Sequence, residues 1–345
     1  MRKLKKYVPT KFKAKDSIYD KEAADFVVAF IEQLKHTKGE FYNQPFELID
    51  WQEQIIRDIF GTLKPDGYRQ FTTAYIEVPK KCGKSELAAA VALYMLCADG
   101  EQRAEVYGCA ADRDQASLVF DVACDMVRLC PALQKRCDLR PSRKSISFGP
   151  TNSVYKAVSS EVGGKSGVNI SALVFDELWV QKDRKFFEMM TVGTSDARRN
   201  PLHFIITTAG NDTNSICYEL HQKAVDIIEG RKVDPTFYPV IYGADTDDDW
   251  TDPKVWRKAN PSLDITIGID KVKAACDSAK QNPGEENAFR QLRLNQWVKQ
   301  AVRWMPMDKW DACATTIREE DLEGRVCYGG LDLSSTTDLT SFVLV

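Results

Sequence analysis

Short apolar runs and longer helical segments alternate along most of this chain. Runs of strand length, bounded by polar or small residues, lie at 74–78, 105–111, 172–177 and 202–210. Alanine and leucine dominate 87–96, and apolar residues recur at helical spacing in 113–128, so both segments predict helices. This alternation predicts an α/β fold with a mostly parallel sheet that carries helices on both faces.

The flanking regions add further elements. Helices are predicted at 17–40, 53–60, 271–281 and 285–297, and a hairpin at 145–148 and 153–158. The glycine-rich segment 160–168 predicts a loop, and the texture changes beyond about residue 230, as expected of a linking or lid subdomain. The acidic run 245–250 is predicted to be a solvated loop rather than a metal site, because no partners converge on it.

A basic and glycine-containing stretch, Lys-Lys-Cys-Gly-Lys-Ser at 80–85, separates the first of these strands from the helix at 87–96. Strand, tight loop and helix form the context of a phosphate-binding loop, whose backbone N–H groups and helix N-terminus face the phosphates. Lys84 is expected to reach the β- and γ-phosphates of ATP, and the Ser85 hydroxyl to hold Mg²⁺. Val78 stands where the usual pattern has its first glycine.

Two adjacent carboxylates, Asp176 and Glu177, end the strand at 172–177. At the end of a strand near a phosphate-binding loop, one acid can hold Mg²⁺ and the next can polarise the attacking water. We therefore predict that Asp176 is the metal ligand and that Glu177 is the catalytic base. A surface turn after a buried strand is the alternative.

Two threonines close the strand at 202–210. A strand next to the phosphate-loop strand ends close to the γ-phosphate. Thr207 or Thr208 could then sense that phosphate by gaining or losing a hydrogen bond. A threonine-rich strand end without ligand contact stays open as the alternative. Upstream, an aromatic residue and Gln52 suit an adenine site, the ring for packing and the amide for the base edge.

Composition sets limits on compartment and partners. The apolar share of 43% and the charged share of 28% are those of a soluble globular protein, and no apolar run approaches the roughly 20 residues of a membrane span. The 10 cysteines lack metal-ligand spacing, so reduced thiols in a cytosolic protein are expected. The net charge is −3, yet seven basic residues precede the first acid, at positions 2, 3, 5, 6, 11, 13 and 15. This arm either contacts DNA phosphates or is a solvated, mobile terminus.

The end of the sequence predicts a strand at 326–334 and a second one from 341. Asp332 is expected to be the one inward-facing acid of the first strand, as at the start of a ribonuclease-H-like nuclease. Such a nuclease needs further strands and further carboxylates to hold two metal ions about 4 Å apart. We expect either that the sequence stops inside such a domain or that this end serves only as packing.

Together, these motifs resemble those of one protein family. In chain order they are Trp51-Gln52, KKCGKS, Ala111-x-Arg113-x-Gln115-Ala116, FDEL, TTAGND, Trp250-x-Asp252-Pro253-x-x-Trp256-x-x-Ala259-Asn260-Pro261, Leu294-Asn295-x-Trp297 and GLDLSSTTD. The set resembles the large terminase subunit of tailed bacteriophages, of the HK97-like type. The resemblance implies a P-loop (RecA/ASCE-like) ATPase that uses ATP and Mg²⁺ to package double-stranded DNA. It also implies a C-terminal nuclease that cuts DNA concatemers.

The same resemblance implies partners. They are double-stranded DNA, the portal protein and procapsid, the small terminase subunit, and further copies of the chain in a ring of five. The implied location is the cytoplasm of the host bacterium, with no membrane.

The resemblance further implies a role for each matched residue. The nucleotide-binding residues are Gln52, matching an adenine-contacting glutamine, with Lys80, Lys81, Cys82, Gly83, Lys84, Ser85 and Glu86. The implied catalytic residues are Glu177, Lys84 and Lys165. Lys165 is the basic residue nearest to the position at which many family members have an arginine that acts on a neighbouring subunit. Lysine lacks the planar fork of arginine, so this position departs from the family pattern. Thr207 and Thr208 match the coupling motif, Ser85 and Asp176 hold the ATPase Mg²⁺, and Asp332 is the first metal ligand of the nuclease.

Four regions are therefore expected: a basic arm and helix (1–40), a P-loop ATPase domain (41–230), a linker or lid subdomain (231–320) and the start of a nuclease domain (321–345). Endonuclease activity is expected only in a longer chain. Two other functions stay open, namely another RecA-like DNA translocase and a nucleotide-dependent assembly or docking module.

Overall fold

The computed structural model describes residues 3–160, 168–181, 184–298, 312–314, 318, 320, 323–334 and 340–344. It consists of two compact units, residues 1–303 and 304–345. The helices are α1 (Lys21–Glu32), α2 (Asp50–Gly61), α3 (Lys84–Cys97), α4 (Arg113–Leu129), α5 (Pro131–Gln134), α6 (Arg184–Thr191), α7 (Ile216–Ile228), α8 (Pro253–Ala259), α9 (Ile269–Gln281) and α10 (Pro283–Leu294). The strands are β1 (Ile18–Tyr19), β2 (Thr62–Leu63), β3 (Thr73–Glu77), β4 (Glu105–Ala110), β5 (Cys137–Arg140), β6 (Ser145–Phe148), β7 (Ser153–Ser159), β8 (Ala172–Asp176), β9 (Leu202–Thr207), β10 (Phe237–Ile241), β11 (Gly329–Asp332) and β12 (Ser341–Leu344).

An 8-stranded sheet in the order β10-β3-β9-β8-β4-β7-β6-β5 forms the centre of the first unit. Every neighbouring pair from β10 to β7 is parallel, whereas β7, β6 and β5 pair antiparallel. Parallel strands end at one edge of a sheet, and ligand sites form in the crevice beyond those ends. The adjacent strands β3, β9 and β8 end at Glu77, Thr207 and Asp176, so the three predicted motifs start from one place.

Helices cover both faces of this sheet. In β8, Ala172 and Val174 face one apolar core, which α1 to α4 complete. Leu173 and Phe175 face a second core, which α6 and α7 complete, because successive side chains of a strand point to opposite faces. Helix α3 is buried from Leu87 to Leu96, which explains why its sequence lacks a polar face. The predicted α/β fold with a mostly parallel sheet is confirmed, as is the hairpin of β6 and β7.

Helices α8, α9 and α10 enclose a third apolar core, and we call residues 253–298 the helical subdomain. Helix α10 ends at Leu294 rather than at Trp297 as predicted, because Asn295 adopts a left-handed conformation (φ 55°) that terminates the helix. The acidic run before the subdomain is solvated, with Lys258 Nζ 2.7 Å from Asp248 Oδ2. Among the described residues, no three metal-ligating side chains converge there or elsewhere.

The described part of the basic arm lies against α2. The Tyr7 hydroxyl donates to Asp58 Oδ1 at 2.7 Å, and the Thr10 N–H donates to the same oxygen at 3.2 Å. The Tyr7 ring also stacks on Tyr19, with 4.3 Å between the centroids. These contacts place Tyr7 and Thr10 on α2, and both the mobility of the arm and its contact with DNA stay predictions.

In the second unit, β11 and β12 pair antiparallel, with Asp332 opposite Ser341. The predicted hairpin is confirmed. Both strands are exposed, so Asp332 does not face inward within the part of this unit that the structure describes. No described helix of either unit has the length and apolar character to cross a membrane.

Candidate functional site

The connection from β3 to α3 is a tight loop. Lys81 and Gly83 both have positive φ angles, 75° and 84°, which glycine adopts freely and lysine adopts at a cost. Gly83 is the N-cap of α3, so the unpaired N–H groups of the first helical turn begin at the strand ends. This is the backbone that a phosphate-binding loop requires, although Val78 occupies the position of the first glycine.

The Lys84 ammonium lies where the ends of β3, β8 and β9 meet. Its Nζ donates to the carbonyls of Val78 and Pro79 at 3.2 and 3.4 Å. The same atom donates to Thr208 Oγ1 and lies 3.2 Å from Glu177 Oε1. The side chain is only 5% exposed, so this charge is held within reach of any phosphate that enters the site.

Ser85 and Asp176 form a pair next to this lysine. The Ser85 hydroxyl donates to Asp176 Oδ2 at 3.3 Å, whereas no described residue bonds to the buried Oδ1. Burial and the charge of Glu177 raise the pKa of Asp176 to about 7, although Lys84 and the Ser85 hydroxyl act in the opposite direction. A hydroxyl and an unpartnered carboxylate oxygen are ligands that suit Mg²⁺, so the residues present fit the implied metal.

Glu177 follows in a left-handed conformation, with φ 51° and ψ 52°. Such a conformation costs about 1–3 kcal/mol in a non-glycine residue and persists only where neighbours hold it. Here the Glu177 N–H donates to the carbonyl of Ile206 at 2.9 Å, which fixes the turn against β9. The carboxylate is 21% exposed and lines a cavity, as a catalytic base must.

The two threonines differ in their partners. Thr208 Oγ1 contacts Lys84 and lines the cavity. Thr207 Oγ1 accepts the Trp179 N–H at 3.2 Å and donates to the carbonyl of Thr208 at 3.0 Å. Thr208 therefore lies beside Lys84 and the cavity, whereas Thr207 fixes the turn after Glu177. The sensing of a phosphate stays a prediction.

A cavity of about 680 Å³ joins these groups. Its lining combines the charged cluster with a set of apolar and uncharged polar residues, namely Phe41, Phe46, Ile49, Gln52, Ile265 and Thr266. A nucleotide needs both kinds of surface, since its phosphates are charged and its base is flat and mostly apolar. The cavity thus has the size and the lining of a nucleotide site.

Gln52 and Cys82 occupy different positions relative to this cavity. Gln52 lines it, and its Oε1 accepts the Ile49 N–H at 3.3 Å, which leaves Nε2 beside Gly83. The Cys82 thiol is fully buried, and burial raises its pKa to about 11. A protonated, inaccessible thiol neither contacts a nucleotide nor reacts readily, so only the backbone of Cys82 can serve the loop.

The Glu86 carboxylate is hydrogen-bonded by residues 36–37, which lie upstream of the phosphate loop. Its Oε2 lies 2.6 Å from His36 Nδ1, and its Oε1 accepts the Thr37 N–H at 3.1 Å. Burial opposes ionisation, but these hydrogen bonds prevail and lower the pKa of Glu86. The carboxylate therefore anchors residues 36–37 to the first turn of α3.

The helical subdomain contacts the backbone of the phosphate loop at three successive residues. The Lys80 N–H donates to the carbonyl of Leu292 at 2.9 Å, the Lys81 carbonyl accepts from the Thr266 hydroxyl, and the Cys82 carbonyl accepts from Ser262 Oγ at 3.1 Å. The side chains of Lys80 and Lys81 are exposed and line the cavity. The loop is thus supported from outside by a region that lies 180 or more residues away in sequence.

The same subdomain also holds the end of β9. Asn295 Oδ1 accepts the Ala209 N–H at 2.7 Å, and Gln291 Nε2 donates to the Ala209 carbonyl at 2.9 Å. Both carboxamides are buried, with 4% and 7% exposed. Because Ala209 follows Thr208, these amides connect the candidate phosphate sensor to α10.

Sequence reasoning missed two residues at this edge of the sheet. Glu77, fully buried at the end of β3, accepts from the Tyr75 hydroxyl at 2.6 Å and from Trp297 Nε1 at 3.2 Å. Trp179 donates its indole N–H to Glu177 Oε2 at 2.8 Å. For Glu77, the available signal was a single acid inside an apolar strand; for Trp179 there was none beyond its closeness to the acidic pair.

Two further residues were predicted to serve functional sites. Lys165 lies outside the described residues, so its role stays a prediction. Asp332 belongs to the second unit, where the described residues supply no group of three candidate metal ligands.

A family model described as the terminase large subunit, ATPase domain, matches residues 50–226, and one for the endonuclease domain of the same subunit matches residues 231–345. The chain belongs to the large terminase family. The resemblance predicted from the motifs is confirmed, and so is the prediction of an ATPase, since the chain carries the family's ATPase domain.

Individual relatives agree with this assignment. The chain is 29% identical to the large terminase subunit of Enterobacteria phage HK97 over 323 residues, which are 92% of this chain and 61% of that protein. It is 30% identical to protein YmfN of Escherichia coli K12 over 169 residues, or 49% of this chain and 37% of YmfN. The crystal structure of the HK97 large terminase superposes with a TM-score of 0.70 and 28% identity, over 93% of this chain and 64% of the other. The chain therefore spans less than two thirds of the length of its HK97 relative.

The endonuclease match begins at residue 231 and so includes the helical subdomain as well as the hairpin of β11 and β12. The predicted boundary at residue 320 between a lid and a nuclease stays a prediction.

Proposed function

We propose that this chain is the ATP-hydrolysing part of a motor that packages double-stranded viral DNA into a procapsid, in the cytoplasm of a bacterium that carries the phage. The observation that supports this proposal is the convergence of Lys84, Asp176, Glu177 and Thr208 beside one cavity. The motor function and the DNA substrate are inferred from membership of the large terminase family. In a longer chain, a nuclease whose first metal ligand is Asp332 would cut the concatemer.

Hydrolysis follows from the positions of these side chains. The loop N–H groups and Lys84 bind the β- and γ-phosphates, while Gln52 and the apolar lining receive the adenine. Ser85 and Asp176 hold Mg²⁺, which when bound offsets charge on the phosphate oxygens. Glu177 accepts a proton from the attacking water as the bond between the γ-phosphorus and the bridging oxygen breaks, which gives ADP and phosphate.

The energy of hydrolysis reaches the helical subdomain through Thr208. When the γ-phosphate leaves, Lys84 and Thr208 lose a shared anionic partner, so the end of β9 changes its position. Gln291 and Asn295 hold the next residue, Ala209, at both its N–H and its carbonyl. A shift of Ala209 therefore moves the subdomain against the sheet, and with it the bound DNA.

The remaining partners follow from the family. Subunits act in a ring of five, in which Lys165 of one subunit completes the site of its neighbour, and the ring docks on the portal protein with the small terminase subunit. The basic arm offers a surface for DNA phosphates. A RecA-like helicase is a weaker alternative, since the family matches extend from residue 50 to residue 345.

Mg²⁺-dependent ATP hydrolysis by the wild type and by Glu177→Gln, over a range of protein concentrations, tests the site. Glu177→Gln should bind ATP normally and turn it over about 10²–10⁴-fold more slowly, the usual contribution of a general base. Normal turnover by this variant would remove Glu177 from the mechanism. Turnover that rises steeply with protein concentration supports completion by a neighbour, whereas turnover independent of concentration contradicts a trans role for Lys165.

Addition of double-stranded DNA and procapsids separates a motor from a docking module. A motor should hydrolyse ATP faster when DNA is present. ATP that is bound but never hydrolysed, even with DNA and procapsids, would instead support a nucleotide-dependent assembly module.

A further inference from the structure

Both carboxylate oxygens of Glu177 have partners, and the two partners differ in kind. Oε1 lies 3.2 Å from Lys84 Nζ, and Oε2 accepts the indole N–H of Trp179 at 2.8 Å. Lys84 has to serve phosphate oxygens once a nucleotide is bound, so its contact with Oε1 is temporary. The Trp179 indole N–H has no phosphate to bind, so its hydrogen bond to Glu177 Oε2 can persist through the reaction.

We propose that Trp179 is the positioning residue of the catalytic base. Its indole N–H fixes Oε2, so that Oε1 is turned to the attacking water when Lys84 moves to the phosphates. This inference rests on the proposed role of Glu177 as the base.

A glutamate base needs such a partner because its side chain is long and rotates freely. A base works efficiently when a third group orients it toward the proton that it accepts. Hydrogen bonds to a charged acceptor are roughly twice as strong as neutral ones, so the indole can hold the carboxylate in one orientation. The left-handed backbone of Glu177 brings its side chain back over residue 179, which places donor and acceptor within reach.

Trp179 is itself held by β9. Its backbone N–H donates to Thr207 Oγ1 at 3.2 Å. A Cβ atom at Gly210 would lie 3.3 Å from Trp179 Cβ and 2.8 Å from the Trp297 ring, so the chain passes closely between the side chains of these two tryptophans. The orientation of the base and the position of the phosphate sensor Thr208 thus depend on the same strand end.

A role in packing alone makes a different prediction from a positioning role. Trp179 packs against the core beneath α6 and α7, so a packing role predicts lower thermal stability and weaker ATP binding after substitution. A positioning role predicts a lower kcat with KM and the Kd for ATP nearly unchanged, because the lost contact matters in the transition state.

The test is Trp179→Phe, which keeps an aromatic ring and removes the donor. We expect kcat to fall about 10- to 100-fold, as for the loss of one hydrogen bond to a charged group, with KM and Kd within about twofold of the wild type. Replacing Trp179 with 3-benzothienylalanine, which has the shape of tryptophan and sulfur in place of N–H, should give the same loss without a change in packing. The control is Trp256→Phe in the helical subdomain, which also removes an indole N–H donor, here to the Trp250 carbonyl at 2.8 Å, and should leave kcat within about twofold.

A double variant separates this inference from the assignment of the base. In the Glu177→Gln background, Trp179→Phe should not reduce the residual turnover further, because two residues that act as a unit are not additive. Equal reductions in both backgrounds would show a packing role and overturn the proposal. An unchanged kcat in the benzothienyl variant, together with an inactive Glu177→Gln, would also overturn it while the base assignment stands. Full turnover by Glu177→Gln would instead remove the base itself.

Discussion

The two ends of the central sheet both bury charged side chains, but only one end leaves them open to a ligand. At the carboxyl end, one oxygen of Asp176 has no bond to any described residue, and the neighbouring carboxylate of Glu177 lines a cavity. At the amino end, Arg69 and Asp99 are each 4% exposed and pair with each other through both carboxylate oxygens. Arg69 also donates its backbone N–H to Asn200 Oδ1, just before β9, at 2.9 Å.

The difference shows what identifies a functional site in this fold. Buried charge occurs at both ends, and burial is the largest cause that raises the pKa of Asp99 as well as that of Asp176, although Arg69 opposes the effect at Asp99. What separates the ends is the state of the carboxylates. Arg69 pairs with both oxygens of Asp99, although the buried Arg69 Nε has no partner among the described residues, whereas Asp176 lines the cavity with Oδ1 unpartnered. Substitutions at the carboxyl end should therefore change ligand binding and turnover, and substitutions at the amino end should change stability.

The largest effect on ligand binding is expected for Lys84→Ala at the carboxyl end. Lys84 is the ammonium that faces the phosphates, so its loss should weaken ATP binding by at least about 100-fold. Its partner Glu177 is 21% exposed and can be solvated, so the free energy of unfolding should change by no more than about 1 kcal/mol. Titration with a fluorescent ATP analogue and urea denaturation measure the two quantities. Undiminished affinity would contradict the phosphate-loop assignment, and Lys64→Ala, an exposed lysine before β3, serves as the control.

Arg69→Met probes the amino end. It leaves the Asp99 carboxylate buried without its partner, so the free energy of unfolding should fall by about 3–5 kcal/mol while the Kd for ATP stays within about twofold. Arg69→Met combined with Asp99→Leu removes both charges and should recover part of the loss. If Arg69→Met weakened ATP binding as strongly as it lowered stability, the separation between the two ends would not hold.

The carboxyl end could be predicted from sequence because each of its motifs is local. A strand, a turn and a helix within about twenty residues specify the phosphate loop, and an apolar run that ends in Asp176 and Glu177 specifies a strand with two acids at its end. The sequence analysis also placed the strand that ends in the two threonines beside the phosphate-loop strand, because threonines in that position end close to the γ-phosphate. The pairing of β9 with β3 confirms this neighbourhood.

The supports of the site could not be predicted because their contacts are distant in sequence. Ala209 is bonded by side chains 82 and 86 residues away, and the ion pair of Arg69 with Asp99 spans 30 residues without a motif. Helix α10 was predicted to continue to Trp297, since periodicity does not reveal that Asn295 adopts a left-handed conformation to reach Ala209 and the carbonyl of Tyr242.

A smaller effect at the amino end concerns His203, near the start of β9. Burial lowers the pKa of His203 to about 4 from its usual 6.5, and its Nε2 lies 3.1 Å from Ser195 Oγ. Between pH 6.5 and pH 4 the unfolded chain binds a proton that the folded chain does not, so stability falls as the pH is lowered through this window. The fall attributable to this group is at most about 3 kcal/mol near pH 4.

His203→Gln removes that proton from the balance. Compared with the wild type, the variant should show a constant stability difference above about pH 6.5 and a growing advantage down to about pH 4, as measured by urea denaturation at each pH. The Kd for ATP at neutral pH should not change, because His203 lies at the amino end of the sheet, away from the cavity. Parallel stability curves for the two proteins would show that His203 titrates normally in the fold.

The smallest effect is expected where the carboxyl end meets the helical subdomain. Gln291→Glu replaces the N–H donor to the Ala209 carbonyl with a carboxylate oxygen, so the contact between α10 and the end of β9 becomes repulsive. The stimulation of ATP turnover by double-stranded DNA should fall about tenfold, the usual value of one hydrogen bond, while the Kd for ATP stays within about twofold. Gln296→Glu is a matched control, since Gln296 is also buried and donates to a backbone carbonyl, that of Asp245, which is not part of β9. Loss of stimulation in Gln291→Glu alone would place the coupling path at Ala209. Equal losses in both variants would indicate a general loosening of the subdomain. Full stimulation in both would contradict a path through α10.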